Sequence, residues 1–253
     1  MSNRVAFVTG GAQGIGQGIS QTLGSNGFQV AIADLNLEAA QATAESIIAA
    51  GGKAIAVQVD VTDTASVQVA VKSVVQELGP IEIVVNNAGW DDFMRFVDTT
   101  EEFWDRVLDI NFKGALRVTQ AVVPGMMERG FGRVINIGSD AGRVGSSMEA
   151  VYSGAKGGII AFTKTLAREV ASKGVTANTV CPGPTDTPAL RKFADNAGQD
   201  AEKVISGMTK AVPMRRLAQP TDIAAAVAFF ASDETGYITG QTLSVSEIGR
   251  AHV

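Results

Sequence analysis

The sequence has few of the residues on which several enzyme classes depend. Cys181 is its only cysteine, and His252, next to the last residue, is its only histidine. A single cysteine excludes an internal disulfide. Serine and cysteine hydrolases need a histidine in the active-site cleft, and zinc sites normally need several Cys or His ligands. The sequence therefore argues against these hydrolases and predicts no metal site.

Basic charge and long apolar runs are also scarce. Lys and Arg number 21 against 26 Asp and Glu, which gives a net charge of −5. This net negative charge argues against electrostatic binding to nucleic acid or anionic lipid. No run approaches the roughly 20 apolar residues that span a bilayer, and the N-terminus lacks the basic-then-apolar pattern of a signal peptide. We expect no nucleic-acid partner, no membrane association and a cytoplasmic location.

Short apolar runs alternate with longer amphipathic stretches along the 253 residues, of which 45% are hydrophobic. The predicted strands are 4–9, 29–34, 54–60, 81–86, 133–139, 175–181 and 241–245, and the predicted helices are 15–26, 37–50, 64–78, 101–129, 150–172 and 220–231. Asp63, Thr100 and Thr221 are the predicted helix caps. Repeated strand and helix predict a single-domain α/β protein with a doubly wound parallel sheet, the Rossmann fold, of about seven strands flanked by helices.

One irregular region, about 183–219, precedes the last predicted helix and strand. It is rich in Pro, Gly and polar residues. Loops of this length are uncommon inside a compact domain unless they cover a site. We therefore predict a substrate lid with one or two short helices, within a single domain that spans residues 1–246.

A glycine-rich turn follows the first predicted strand. Gly10, Gly14 and Gly16 let the backbone turn tightly and approach a pyrophosphate, and the next helix would offer that anion its free N–H groups. The spacing differs from the usual G-x-G-x-x-G, and the Lys-Ser/Thr pair of a triphosphate-binding loop is missing. The turn therefore favours a dinucleotide over a nucleoside triphosphate.

Asp34 ends the second predicted strand, about 18 residues after Gly16. A carboxylate at this position would accept hydrogen bonds from the adenosine ribose hydroxyls and repel a 2′-phosphate. No Arg or Lys stands at Gln13, Leu35 or Asn36 to attract that phosphate. We expect NAD rather than NADP as the cofactor. The alternative interpretation of Asp34 is a helix cap or turn residue.

Tyr152 and Lys156 are four residues apart in a predicted helix, which puts both side chains on one face. A free tyrosine has a pKa of about 10 and is a poor base at neutral pH, whereas a nearby cation lowers that pKa. The pair predicts a proton shuttle that works beside a hydride-carrying cofactor. The alternatives are an ordinary buried or interface tyrosine and a solvated lysine.

Together these motifs resemble the short-chain dehydrogenase/reductase family over essentially the whole chain. The matching residues are Thr9-Gly-x-x-x-Gly14-x-Gly16, Asp60-Val61, Asn86-Asn87-Ala88-Gly89, Asn111, Ser139, Tyr152-x-x-x-Lys156 and Pro182-Gly183. The resemblance implies an NAD-dependent oxidoreductase that interconverts a secondary alcohol and a ketone. Its expected catalytic residues are Ser139, Tyr152, Lys156 and Asn111.

The resemblance also implies a role for each catalytic residue. Tyr152 would exchange the proton with the substrate oxygen, and Ser139 would hydrogen-bond that oxygen and polarise it. Lys156 would lower the pKa of Tyr152 and bind the hydroxyls of the nicotinamide ribose. Asn111 would hold a water that links Lys156 to solvent.

Expected cofactor contacts lie along several loops. Asp60 and Val61 would contact the adenine, and Thr187 would reach the nicotinamide carboxamide. The full expected set is Gly10, Gln13, Gly14, Ile15, Gly16, Asp34, Leu35, Asp60, Val61, Asn87, Ala88, Gly89, Tyr152, Lys156, Pro182, Gly183, Thr185 and Thr187. Each loop residue taken singly is also compatible with an ordinary turn.

Aromatic and sulfur-containing residues follow the fourth predicted strand. They belong to the stretch Trp90, Asp91, Phe93, Met94 and Phe96, and residues 141–148 and the lid from Pro184 onward should complete the pocket. The main expected substrate-pocket residues are Trp90, Phe93, Ala141, Ser146 and Met148. Their side chains favour a fairly bulky, partly apolar alcohol or ketone. Several stretches resemble one branch of the family, the 2-hydroxycyclohexanecarboxyl-CoA dehydrogenases, so a CoA thioester is a candidate, and Arg143 would meet a CoA phosphate or make a surface ion pair. The alternatives are a 3-oxoacyl-thioester (ACP or CoA) reductase, a general alcohol dehydrogenase and a non-catalytic NAD-binding scaffold.

Two of the predicted helices, 101–129 and 150–172, carry more apolar residues than sheet packing needs. These residues include Phe103, Trp104, Val107, Leu116, Phe162 and Leu166. In the family the equivalent helices pair across two-fold axes, so we expect a homotetramer. The alternative for each residue is the core of the chain itself.

The end of the sequence departs from the family pattern. After the last predicted strand the family has a Gly-Gly pair and a short tail, whereas residues 247–253 here read Glu-Ile-Gly-Arg-Ala-His-Val. Residues 248–253 can be encoded by the opening bases of a common sequencing adaptor. We therefore expect a non-native tail and no function for His252, and the codons of the coding DNA test this.

Overall fold

The computed structural model describes residues 3–196 and 200–246, and one parallel sheet of seven strands runs through them. The strands are β1 Val5–Thr9, β2 Gln29–Asp34, β3 Lys53–Gln58, β4 Ile81–Asn86, β5 Gly132–Ile137, β6 Val175–Pro182 and β7 Thr242–Val245. Their order in the sheet is β3-β2-β1-β4-β5-β6-β7, so the direction of winding reverses between β1 and β4. The predicted doubly wound α/β fold is confirmed.

Helices cover both faces of this sheet. They are α1 Gly14–Ser25, α2 Leu37–Ala49, α3 Thr64–Glu77, α4 Glu101–Leu108, α5 Gly114–Arg129, α6 Ala141–Val144, α7 Ala150–Val170, α8 Pro188–Asn196, α9 Ala201–Ala211 and α10 Pro220–Ala231. Along β1, Val5 and Phe7 pack with α3, α5 and α7, whereas Ala6 and Val8 pack with α1, α2 and α10. Because both faces are covered, β1 is apolar at successive positions from Val5 to Val8 rather than alternating with polar residues.

The helix starts agree with the sequence at two of three predicted caps. The Asp63 side chain accepts a hydrogen bond from the backbone N–H of Ala65, and Thr100 caps α4 in the same way. The cap predicted at Thr221 is wrong, because α10 already begins at Pro220. A proline fits the first turn of a helix, where its missing N–H is not needed.

Two predicted strands end earlier than the sequence indicates, and one predicted helix is interrupted. β3 stops at Gln58, which pairs with the last residue of β2, and β5 stops at Ile137. Asp60 and Ser139 therefore lie in loops just beyond their strands. The predicted helix 101–129 is interrupted by a π-helical turn, Asp109–Lys113, which separates α4 from α5.

The irregular region 183–219 contains α8 and α9, in agreement with the one or two short helices expected there. Residues 197–199 lie outside the described part of the chain, and so does the expected non-native tail, 247–253. Within residues 3–196 and 200–246, every helix is too short or too polar to cross a bilayer.

Three of the residues expected at subunit interfaces pack in or against the core of the chain. Val107 is fully buried and Leu166 is 9% exposed, and Leu166 packs with the sheet. Phe162 packs against the same core from a partly buried position. These three side chains therefore support the fold of the single chain rather than association.

Candidate active site

The carboxyl ends of β1 and β4 to β6 meet at one edge of the sheet, next to the reversal in winding. At the end of β1, Gly10 has a φ of +59°, and a Cβ there would lie 3.0 Å from the Ala88 Cα. A Cβ on Gly16 would lie only 2.0 Å from the carbonyl oxygen of Gly10. Only glycine fits both positions, so the turn brings bare backbone to the start of α1.

This turn fits the pyrophosphate of a dinucleotide. Among the described residues, the first turn of α1 has neither a capping side chain nor an acidic residue. The free N–H groups and the positive end of the helix dipole therefore face the turn. Gly10, Gln13, Gly14, Ile15 and Gly16 all belong to this turn and helix start, as the sequence predicts.

Thr9 and Asn87 brace the glycine turn. The Thr9 hydroxyl accepts hydrogen bonds from the N–H groups of Asn87 and Ala88, at 3.0 and 3.1 Å. The Asn87 amide donates to the carbonyl oxygens of Thr9 and Gly10, at 3.0 and 2.9 Å. These residues hold the ends of β1 and β4 at a fixed separation beside the expected cofactor site.

Asp34 lies at the rim of the same turn. Its carboxylate accepts hydrogen bonds from the N–H of Ala12 at 3.1 Å and from the N–H of Asn36 at 3.0 Å. Asp34 therefore stabilises the turn, as its alternative interpretation as a turn residue predicts. It is compatible with a ribose contact, because a carboxylate has about four acceptor sites. Leu35, the next residue, is 65% exposed.

Asp60 and Val61 hold the loop after β3. One oxygen of the Asp60 carboxylate accepts from the Thr62 N–H at 2.8 Å and from its hydroxyl at 2.7 Å. Val61 is 8% exposed, and a Cβ on Gly114 would lie 2.9 Å from its methyl group. Contact of these residues with an adenine stays a prediction.

Tyr152 and Lys156 lie one turn apart in the first part of α7. The Lys156 Nζ lies 5.6 Å from the centroid of the Tyr152 ring. Lys156 is 4% exposed, and its Nζ donates to the carbonyl oxygen of Ile137 at 2.9 Å. The carboxyl end of β5 therefore fixes the ammonium group beside the phenol.

The charge balance at Tyr152 differs from the expectation that Lys156 lowers its pKa. Burial raises the pKa of Tyr152 above its usual value, and the negative charges of Glu149 and Asp91 raise it further. A hydrogen bond with Ser139 lowers that pKa in part. Burial also lowers the pKa of Lys156 to about 8. Burial therefore opposes the lowering expected from Lys156, and that effect of the lysine stays a prediction.

Ser139 stands two residues beyond the end of β5. Its Oγ accepts a hydrogen bond from the N–H of Ala141 at 3.1 Å, in addition to the bond with Tyr152. A Cβ on Gly142 would lie 2.6 Å from the carbonyl carbon of Lys156. This glycine, which the sequence analysis missed, lets the loop that carries Ser139 pack directly on α7.

Asn111 sits in the π-helical turn and is 2% exposed. Its amide donates to the carbonyl oxygens of Trp90 at 2.5 Å and of Val107 at 2.9 Å, and it accepts from the N–H of Trp90 at 3.2 Å. A Cβ on Gly89 would meet Asn111 Oδ1 at 2.9 Å and Lys156 Nζ at 3.6 Å. Asn111 thus anchors the loop after β4, and the water relay stays a prediction.

Tyr152 faces a narrow cleft. The other residues that line it are Asp91, Met94, Phe96, Thr99, Phe103, Met148, Glu149, Ala150 and Val151. Four of the residues expected in the pocket belong to this lining: Asp91, Met94, Phe96 and Met148. Trp90 packs edge-on against Phe103, a residue of the lining, with ring centroids 5.8 Å apart. Ala141 and Ser146 are not part of the lining, although the carbonyl oxygen of Ser146 accepts from the N–H of Glu149.

Asp91, which the sequence analysis placed in the pocket, and Glu149, which it missed, are two further functional candidates. Burial and, to a smaller extent, the nearby charge of Glu149 together raise the pKa of Asp91 to about 7. Two carboxyl groups therefore share the cleft with the phenol. The sequence did contain a signal for Glu149: it lies three residues before Tyr152, which puts the two side chains on the same helical face.

We expect Asp91→Asn to stabilise the protein above about pH 7 and to have no such effect near pH 4. The folded pKa of Asp91, about 7, lies above its ordinary value of 3.8. The folded state therefore binds this proton more tightly, and stability falls as the pH rises between the two values. Melting temperatures of both proteins at about pH 5 and 8 measure the difference, at roughly 2–4 °C per kcal/mol.

The exposed Asp105 on α4 provides the control for this experiment, because Asp105→Asn removes the same charge from a residue that does not affect the pKa of Asp91. We expect its melting temperature to follow that of the wild type at both pH values. If Asp91→Asn lowers the melting temperature by the same amount at both pH values, the raised pKa of Asp91 is contradicted.

The region 183–219 contacts the site at two places. Phe193 of α8 packs on Phe93, with ring centroids 3.9 Å apart. A Cβ on Gly14 would lie 3.5 Å from the Thr187 Cβ, and the Thr187 hydroxyl accepts from the N–H of Leu190 at 3.2 Å. The start of α8 therefore lies against the glycine turn.

The turn after β6 lies between these contacts and the sheet. Its residues Pro182, Gly183 and Thr185 are all at least partly buried. The Thr185 hydroxyl donates to the carbonyl oxygen of Gly183 at 2.9 Å, and the Gly183 N–H donates to the carbonyl oxygen of Val245 at 3.1 Å. Gly183, one of the expected cofactor contacts, is thus held by β7.

Arg143 is engaged within the chain. Its guanidinium lies 3.6 Å from the Asp140 carboxylate and donates to the Ser244 hydroxyl. Of the two roles considered for Arg143, this geometry supports the ion pair.

A glycine turn at the start of α1 and a Ser-Tyr-Lys group at the same sheet edge define the class of protein. Residues 10–247 match the family model described as enoyl-(acyl carrier protein) reductase. The chain belongs to the short-chain dehydrogenase/reductase family and is an oxidoreductase.

Individual relatives agree over nearly the full length. Oxidoreductase UcpA of Escherichia coli K12 is 38% identical over 242 residues, which cover 95% of this chain and 92% of that protein. The 3-oxoacyl-[acyl-carrier-protein] reductase FabG of the same organism is 38% identical over 243 residues, 96% of each chain. A single-substitution variant of the actinorhodin polyketide ketoreductase, solved with NADPH, superposes with a TM-score of 0.94 at 34% identity, covering 99% of this chain and 98% of that one.

Proposed function

We propose that this protein is an NAD-dependent dehydrogenase that interconverts a secondary alcohol and a ketone. The observation that carries the proposal is the placement of Ser139, Tyr152 and Lys156 at the sheet edge that also bears the glycine turn. A non-catalytic NAD-binding scaffold has no need of a buried lysine fixed beside a tyrosine, so the catalytic interpretation is the better supported one.

The proton chemistry belongs to Tyr152 and its neighbours. A bound nicotinamide dinucleotide would supply or accept the hydride. In the reductive direction Tyr152 donates its phenolic proton to the oxygen of the substrate, and in the oxidative direction the phenolate removes the alcohol proton. Ser139 hydrogen-bonds the same oxygen and orients it.

The residues present also fit the cofactor. Gly10, Gly14 and Gly16 let bare backbone turn tightly at the start of α1, where the pyrophosphate would bind, and Lys156 would bind the nicotinamide ribose. Preference for NAD is proposed from the Asp34 carboxylate and from the exposed, uncharged Leu35 beside it. A 2′-phosphate would meet a negative charge there instead of the arginine or lysine it needs.

For the substrate we propose a cyclic or aryl alcohol or ketone, with 2-hydroxycyclohexanecarboxyl-CoA and its relatives as candidates. The apolar lining beside Tyr152, from Met94, Phe96 and Met148, supports a bulky and partly apolar group. The second candidate is a 3-oxoacyl-thioester, because FabG, 38% identical, is a 3-oxoacyl-[acyl-carrier-protein] reductase.

A panel of alcohols assayed by NADH absorbance tests the function. It should contain cyclic, aryl and linear secondary alcohols and 3-hydroxyacyl thioesters, each with NAD and with NADP. We expect turnover of cyclic or aryl substrates with NAD. Turnover restricted to 3-hydroxyacyl thioesters selects the second candidate, and cofactor binding without turnover of any substrate selects the scaffold.

Lid closure and assembly complete the proposal. The contact of Phe193 with Phe93 supports a substrate lid in the region 183–219, because it joins α8 to the loop that flanks the cleft.

For assembly we propose a homotetramer, and light scattering is expected to give about four times the chain mass of 26.2 kDa. A species of the chain mass alone contradicts this.

A further inference from the structure

Asp140 follows Ser139 directly and is a buried carboxylate, 8% exposed. Burying a carboxylate costs free energy unless hydrogen bonds or a counter-charge compensate. Here both oxygens are bonded: the Ser244 hydroxyl donates to Oδ1 at 2.5 Å, and the Ser246 hydroxyl donates to Oδ2. Arg143 supplies the counter-charge at 3.6 Å from Oδ1. Asp140 is thus fully engaged, and both of its serine partners lie more than 100 positions away.

The two serines belong to the end of the last strand of the sheet. They are two residues apart, so β geometry turns both hydroxyls to the same side. Arg143 donates to the Ser244 hydroxyl as well. One carboxylate therefore links the end of β7 to the loop that begins with the catalytic serine.

The backbone of Asp140 is held equally firmly. Its N–H donates to the carbonyl oxygen of Pro182 at 3.2 Å, and its own carbonyl oxygen accepts from the N–H groups of Arg143 at 2.9 Å and Val144 at 3.0 Å. The loop can therefore move only if the side-chain bonds to β7 or the backbone bond to β6 give way.

Ser139 depends on this anchor for its own position. It is joined to Asp140 by a single peptide bond, and it lies close enough to Tyr152 to lower the pKa of that phenol. An error of about 1 Å in the placement of a catalytic group costs on the order of 100-fold in rate. The same strand end also supports Gly183, where a Cβ would lie 2.5 Å from the Ser246 Cβ.

We propose that Asp140 is a positioning residue that uses the hydroxyls of Ser244 and Ser246 to fix Ser139 against Tyr152, so that the end of β7 controls the geometry of proton transfer. The proposal rests on the proposed function for its catalytic consequence, whereas its structural content concerns the Ser139–Tyr152 contact alone.

The chain provides a probe of this contact that needs no substrate. It has two tyrosines, Tyr152 and Tyr237, and Tyr237 is fully exposed. The NMR signal of ¹³C-labelled tyrosine at the ring carbon that bears the hydroxyl reports hydrogen bonding at each phenol, and Tyr237 serves as the internal reference. Ser139→Ala defines the signal of Tyr152 without its serine partner.

The test variant is Ser244→Ala/Ser246→Ala, which removes both hydroxyl donors to the Asp140 carboxylate. We expect its Tyr152 signal to move towards that of Ser139→Ala while the Tyr237 signal stays in place. We also expect kcat to fall about 10-fold or more, with the KM for the cofactor changed less than about 2-fold. Asp140→Asn should have a similar effect, and adding it to the double variant should cost little more, because all three act through one contact.

Thr242→Val is the matched control. It removes a hydroxyl from the same strand, and that hydroxyl has no hydrogen-bond partner among the described residues. We expect the wild-type Tyr152 signal and kcat. A double serine variant that melts lower but keeps the wild-type Tyr152 signal and kcat overturns the proposal. That result would show that the two serines stabilise the fold without positioning Ser139. If the wild type has no dehydrogenase activity, the proposed function fails, and the NMR comparison still decides the positioning role.

Discussion

Tyr152→Phe is expected to bind NAD as the wild type does and to lose about three orders of magnitude in kcat. The change removes one hydroxyl and keeps the ring in the cleft. Without that hydroxyl no side chain donates the proton to the substrate oxygen, and general acid–base catalysis is worth roughly 10²–10⁴-fold. Steady-state rates give kcat, and quenching of protein fluorescence gives the affinity for NAD.

Tyr237→Phe is the matched control for this prediction. It makes the same chemical change at the fully exposed tyrosine. We expect unchanged kcat and unchanged cofactor affinity. If Tyr152→Phe keeps kcat within about fivefold of the wild type, a different group transfers the proton and the assignment of Tyr152 is wrong.

Asp34→Asn combined with Leu35→Arg is expected to shift the preference from NAD towards NADP by about 10²–10³-fold in the ratio of kcat/KM. The arginine would form a charge-assisted bond with the 2′-phosphate, and the removal of the carboxylate charge ends the repulsion. Together these changes are worth about 3–4 kcal/mol, and each 1.4 kcal/mol is tenfold. Initial rates with both cofactors measure the ratio.

The structure decides which substitution to use at Asp34. Because the carboxylate also accepts the N–H of Ala12, alanine would loosen the glycine turn, whereas asparagine keeps one acceptor oxygen there. Glu38→Gln is the control, since it removes a nearby exposed negative charge from the first turn of α2. An unchanged cofactor ratio in the double variant, with activity retained, would show that Asp34 does not select the cofactor.

The fold could be predicted because its signals are local and repeated. Continuous apolar strands indicate a sheet covered on both faces, and glycines at the end of β1 fit positions where a Cβ would collide with backbone. The predicted strand ends were less accurate, because pairing with neighbouring strands decides where a strand stops. β3, for example, stops where its neighbour β2 stops. The break between α4 and α5 also had no clear sequence signal, since the π-helical turn depends on the contacts that Asn111 makes with Trp90 and Val107.

The sequence suggests the members of the candidate site, whereas its electrostatics could be predicted only in part. The spacing of Tyr152 and Lys156 places them together, but their pKa values depend on burial and on neighbours distant in sequence. Burial of the phenol, together with Asp91 after β4 and Glu149 before α7, outweighs the effect expected of the lysine. The link from Asp140 to the two serines of β7 joins residues more than 100 positions apart, so only the folded chain reveals it.

A crystal structure of the protein with NAD and a turned-over alcohol tests the central claim most directly. The account predicts that the Tyr152 hydroxyl and the Ser139 Oγ both lie about 3 Å from one substrate oxygen. The carbon that bears this oxygen should face the nicotinamide ring, with Lys156 at the adjoining ribose. A substrate oxygen bound by other groups, with the Tyr152 hydroxyl out of hydrogen-bond range, would contradict it.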